Sequence, residues 1–164
     1  MGNVPILSDN DFKWLIDKSP LFALDFVVIN KINEVLLGKR LNEPARGFWF
    51  VPGGRVRKNE SLNQAGKRIL VEELNFELDL DGSELLGVFD HFYNNSFFGE
   101  EINTHYVTAT YLIHIESIDF RFLPKVQHAE YRWMKIADME YDSSVHFYSK
   151  VFIPILRSKL RLDD

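Results

Sequence analysis

The chain contains no cysteine. That excludes disulfides, thiolate-ligated zinc and cysteine nucleophiles, and it fits a reducing, cytoplasmic setting. No run of 18 apolar residues occurs, so no membrane-spanning helix is expected. The opening MGNVPILSDNDF lacks a basic segment followed by an apolar one, so it does not read as a signal peptide. A basic surplus is also missing. The net charge is −5 and the lysines and arginines are scattered, which argues against nucleic acid as the partner. Repeats, low-complexity tracts and linkers are absent. What remains is 164 residues, 46% of them hydrophobic and including 14 Phe, enough for one domain, 1–164, with a full core.

The most informative stretch is residues 53–76, GGRVRKNESLNQAGKRILVEELNF. It opens on a Pro52-Gly53-Gly54 turn, where no side chain keeps a ligand off the backbone. Ser61 then reads as an N-cap, and Gln64 completes a capping box. Leu62, Ala65, Gly66, Ile69 and Leu70 form the apolar face of a helix. Glu73 falls inside that face, between Ile69 and Leu70 in projection. A carboxylate there must either pair with a nearby Arg or Lys or hold a cation.

Short elements surround this helix. Ser8 caps a helix through Ile16, with Phe12, Leu15 and Ile16 on one face. Residues 24–29 and 35–40 read as a hairpin, with Asp25 interrupting the apolar start of the first strand. Strands are expected at Phe48–Val51, at the end of Leu78–Ser83, at Leu85–Tyr93, at His105–Ile115 and at Tyr131–Met134. Within His105–Ile115, odd positions from Val107 share one face, and Tyr106, Thr108 and Thr110 the other. Asn94–Thr104 reads as a mobile loop over a site. Val145–Leu160 reads as a closing helix kinked at Pro154. The fold class expected is α/β, a mixed sheet between helices.

The central stretch resembles the Nudix box. Gly54, Glu60, Arg68, Leu70, Glu72, Glu73 and Phe76 fit the pattern, while Ile69 stands where the box has a glutamate and Asn75 where it has glycine. Asn tolerates the left-handed backbone that ends a helix, but Ile69 removes a carboxylate. The resemblance implies an α/β/α sandwich. It narrows on Leu24-Asp25-Phe26, Leu37-Gly38-Lys39-Arg40, Trp49–Val56, Thr104–Val107, Gln127-His128 and Tyr131-Arg132-Trp133, which are similar to the GDP-mannose mannosyl hydrolases, a branch that shares the broken box.

That resemblance implies Mg²⁺-dependent hydrolysis of GDP-mannose, or GDP-glucose, to GDP and free sugar, by water attack at sugar C1 with inversion. It assigns Mg²⁺ to the Gly53 carbonyl, Glu73 and Gln127, and leaves Glu72 uncommitted. Arg40, Arg55 and Tyr106 would engage the diphosphate, and Arg suits phosphate because its fork stays charged. His128 would be the base for water; read alone it is an ordinary loop histidine. Asp25 would face the sugar, though a solvated strand end is its plain reading. His91 would hold the sugar or orient Asp25, with core packing equally open, and Ile6, Leu7 and Phe12 would contact guanine. Glu60 and Arg68 would pair to fix the glycine turn. A homodimer and a place in bacterial cell-surface polysaccharide synthesis also come from the resemblance. Two alternatives stand beside it: a conventional Nudix pyrophosphohydrolase giving a nucleoside monophosphate and sugar 1-phosphate, and a nucleotide-sugar sensor without turnover.

Overall fold

The computed structural model describes residues 6–162, so the signal-peptide reading falls partly, at residues 1–5, outside the described residues. Helix α1 (Asp9–Lys18) precedes strands β1 (Leu21–Ile29), β2 (Glu34–Arg40), β3 (Trp49–Phe50) and β4 (Gly53–Arg55). Helix α2 (Leu62–Leu74), strands β5 (Glu84–Tyr93), β6 (Thr104–His114) and β7 (His128–Lys135), and helices α3 (Ile136–Tyr141) and α4 (Ile153–Leu160) complete the order. Single 3₁₀ turns occur at Phe120–Phe122 and Phe147–Ser149.

The seven strands form one mixed sheet, β3-β2-β1-β6-β5, with β4 added to β1 and β7 to β2. Only β1 and β6 run parallel, and β1 is buried along nearly its whole length. A parallel pair needs cover on both faces, and it has it. Leu24, Phe26 and Val28 point into a core shared with Ala65, Ile69, Leu70 and Leu74 of α2. Val27 and Ile29 point the other way, toward Met139, Phe152 and Leu156. Asp25 has the parity of the second set.

Strand β1 changes partner along one edge. Ile29 pairs with Val35 of β2, while Ala23, Leu24 and Asp25 pair with Arg55, Gly54 and Gly53 of β4. Gly53 and Gly54 are thus a short strand rather than the expected open turn. A β-carbon on Gly53 would lie 2.2 Å from Asp25 Oδ1, and one on Gly54 3.1 Å from Ile69 Cγ1. Glycine is required at Gly53, where a β-carbon would also lie 2.7 Å from the Leu24 carbonyl, and Gly54 is packed tightly under a helix side chain.

Helix α2 follows its sequence signals. The Ser61–Gln64 capping box is formed, and Asn75 closes the helix at φ 49°, ψ 38°. Two other expectations need correction. No strand lies within 75–83. Residues 145–152 are not a continuous helix; α4 starts at Ile153 with Pro154 in its first turn, where a missing N–H costs nothing. The segment 94–103, the expected loop over a site, is internally bonded and places Phe97 on the wall of a cavity. Ser96 and Gly99 exchange backbone hydrogen bonds of 2.8 and 3.0 Å, and Thr104 Oγ1 donates to Asn95 O at 2.8 Å. Helix α3 had no clear signal in the sequence. No helix among the described residues is long and apolar enough to cross a membrane.

Candidate active site

Along the stretch where β1 is paired with β4 rather than β2, a cavity of about 430 Å³ opens. Asp25, Arg40, Gly53, Arg55, Glu73, His91, Tyr106 and Gln127 all line it, as do Ile6, Leu7 and Phe12 at its mouth. These residues come from far apart in the chain, and the strand order brings them together. Ile69, at the position of the missing glutamate, also forms part of the wall. Ile6 is 84% exposed, so any contact it makes with a ligand is peripheral. The cavity wall also includes Asn42, Tyr93, Phe97 and Thr108, none of which sequence reasoning singled out. For Tyr93 a signal existed: it follows His91 at strand spacing and so shares its face.

His128 stands apart. It opens β7, is 1% exposed and does not border the cavity. It is no surface histidine either. Its ring packs on Gly38, where a β-carbon would come within 2.5 Å of Cγ and Cδ2. Its Nδ1 lies 3.1 Å from Glu73 Oε2, yet the angle makes no hydrogen bond, and both ring nitrogens and Glu73 Oε2 are buried without a hydrogen-bond partner. Glu73 therefore forms neither of the Arg or Lys pairs that a buried carboxylate ordinarily needs.

The charged groups are set by burial. Burial pushes the Asp25 carboxyl up from 3.8 to about 7; Arg40 opposes the rise and Glu73 adds to it. Burial lowers His91 to about 4, helped by His146, so its ring is neutral at pH 7. That ring stacks on Tyr148 at 4.2 Å, and its buried Nε2 has no partner. Burial also raises the Tyr106 phenol, which stays protonated and able to donate. Arg40 is aimed by a 2.9 Å bond from Nε to Pro44 O, and Arg55 lies 4.8 Å over the Phe12 ring.

Glu60 and Arg68 pair as expected. The fork donates to both Glu60 oxygens at 2.6 and 2.8 Å, to Arg55 O at 2.9 Å and to Glu72 Oε2 at 2.9 Å. Bonding to Arg68 holds the Glu60 carboxyl below its ordinary value. Glu72, which also lines the cavity, accepts from Arg68 at 2.9 Å and lies 3.5 Å from Arg57.

A divalent cation fits the remaining oxygens. Among the described residues, no three His, Cys, Asp or Glu side chains converge to hold an ion. Glu73, Gly53 and Gln127 share the cavity wall instead, and the unpartnered Glu73 oxygen is the one 3.1 Å from His128 Nδ1. Such hard, mostly neutral oxygen donors suit an ion that keeps several waters. Gln127 Oε1 is held by Asn42 Nδ2 at 3.2 Å.

A sequence profile described as the NUDIX domain matches residues 21–154. The chain belongs to the Nudix family, and its mixed sheet flanked by helices is that family's fold. The chain is 32% identical over 150 residues to the low-salt glycan biosynthesis protein Agl8 of Haloferax volcanii, covering 92% of this chain and 90% of the relative. An 8-oxo-dGTP diphosphatase of Proteus vulgaris is 35% identical over 65 residues, 39% of this chain and 58% of that protein. Among solved structures, a MutT Nudix hydrolase from Burkholderia pseudomallei superposes with TM-score 0.67 at 25% identity, covering 84% of this chain and 98% of that one. The Nudix domain of Shewanella oneidensis NrtR, crystallised with ADP ribose, gives 0.66 at 22% identity, covering 94% and 99%.

Proposed function

We propose that this Nudix protein hydrolyses a nucleotide sugar, GDP-mannose or GDP-glucose, to GDP and the free sugar by water attack at sugar C1 with inversion. The observation that carries this reading is the Glu73 carboxylate, buried with no Arg or Lys pair among the described residues, lining one cavity with Gly53, Gln127, Arg40 and Arg55. Gly53, Glu73 and Gln127 would hold Mg²⁺, which when bound supplies positive charge to the departing diphosphate. Arg40 forks onto phosphate oxygens, Arg55 does the same from β4, and Tyr106 donates its phenolic hydrogen. A diphosphate so neutralised leaves without a general acid. Asp25 then faces the sugar, where a carboxylate favours a cationic C1, and His91 offers a neutral ring nitrogen to a hydroxyl.

The resemblance makes His128 the base for water, a role that requires its buried ring, packed on Gly38 and outside the cavity lining, to reach the site. Asp25 is the second candidate for that step, favoured by its place on the wall and a carboxyl poised near 7. A cytoplasmic homodimer with a place in cell-surface polysaccharide synthesis belongs to the same proposal; the glycan-related name of the 32% identical relative supports the glycan part of it.

The conventional Nudix alternative attacks phosphorus and ordinarily uses more carboxylates than Ile69 leaves. Turnover in ¹⁸O water separates the two. Label in the free sugar supports the proposal, and label in phosphate supports the alternative. Binding of GDP-mannose in Mg²⁺ without any product would instead support a sensor.

A further inference from the structure

Tyr131 lies outside the cavity, in β7 opposite Gly38. Its hydroxyl stands 2.9 Å from the backbone carbonyl of Glu73 and 2.7 Å from that of Pro124. A phenol has one hydrogen, so it is shared between two acceptors. The first acceptor belongs to the last turn of α2, where carbonyls have no partner within the helix. Helix closure accounts for Leu70 and Val71, which accept from Phe76 and Asn75 at 3.3 and 3.0 Å. Tyr131 accounts for Glu73. The second acceptor begins the segment that ends at Gln127, whose own carbonyl accepts from Leu41 N at 2.9 Å. That segment is therefore pinned at both ends, by Tyr131 and by Leu41, the residue after β2.

We propose that the Tyr131 hydroxyl is a positioning group that locks the Gln127 segment to the helix turn bearing Glu73, fixing the spacing of two cation ligands. The proposal rests on the reading above that Glu73 and Gln127 hold the ion. Two ligands on separate elements keep their spacing only if something ties those elements together, and few protein oxygens hold this ion, so an unfixed one is felt strongly. The phenol is the group that touches both backbones.

Tyr131→Phe removes the hydroxyl and keeps the ring against His128 and Phe120, 5.4 and 6.4 Å away between centroids. Mn²⁺ binding to the full chain, measured by titration calorimetry without substrate, should weaken about threefold to tenfold, the reach of one hydrogen bond. Amide exchange over 123–127 should accelerate in the same variant, while exchange in β1 stays as in the wild type. Glu73→Gln is the reference. If Glu73→Gln binds Mn²⁺ as the wild type does, the cation-site reading falls and this proposal with it. If Glu73→Gln loses the ion but Tyr131→Phe keeps wild-type affinity, the positioning role alone is overturned, and a lower melting temperature would not rescue it.

Discussion

Two glutamates of one motif lead opposite lives. Glu60, before α2, receives both prongs of Arg68 and the Arg57 backbone N–H at 2.9 Å. Glu73, thirteen residues on, is 5% exposed and has one oxygen without any hydrogen bond. A satisfied buried charge rigidifies its surroundings, whereas an unsatisfied one costs stability and is retained where something else binds it. The same sequence pattern therefore holds a brace and a proposed ligand, and their partners differ accordingly.

The widest break in this contrast is expected at His128, which shares the poorly satisfied end. His128→Gln should lower kcat by roughly 10²- to 10⁴-fold, as for loss of a general base; steady-state assay with near-normal turnover would pass the role to Asp25. Next, Glu73→Gln should cut Mg²⁺-stimulated activity by about 10²-fold, no less than losing a supporting partner of a metal ligand does. Its melting temperature in EDTA should hold or rise, because a buried charge is gone.

At the other end the signature reverses. Arg68→Met should destabilise the fold by about 2 kcal/mol in urea, because Glu60 is left buried and unpaired. An intact midpoint would show that the brace contributes nothing.

The smallest effect is a pH dependence. Folding raises Asp25 from 3.8 to about 7, so the folded chain binds the extra proton. That contribution is complete below 3.8 and is lost as pH rises through about 7. Asp25→Asn should thus stabilise the metal-free protein more at pH 8 than at pH 4. Equal shifts at both values would refute the cause given.

The sequence was most legible where one local rule sufficed. Ser61, Gln64 and Asn75 announced both ends of α2, and the strands at β1, β2, β5, β6 and β7 followed period and turn chemistry. It misled where a local signal served another purpose. Pro154 reads as a kink, but it opens a helix. Gly53 and Gly54 read as a turn, but they are a strand whose missing side chains make room for Asp25 and Ile69. For the site, the residue types were visible but their company was not. Tyr131 was seen as part of a motif, and nothing along the chain showed its bond to a carbonyl 58 positions away.

By itself, then, the chain's order of residues determined a capped amphipathic helix bearing a carboxylate on its apolar face, since capping and periodicity act over a few residues. The tertiary structure alone decided that this carboxylate faces a cavity, that His128 sits behind it, and that a phenol joins its helix to the Gln127 segment. Those facts depend on which strand edges meet, and long-range pairing sets that geometry.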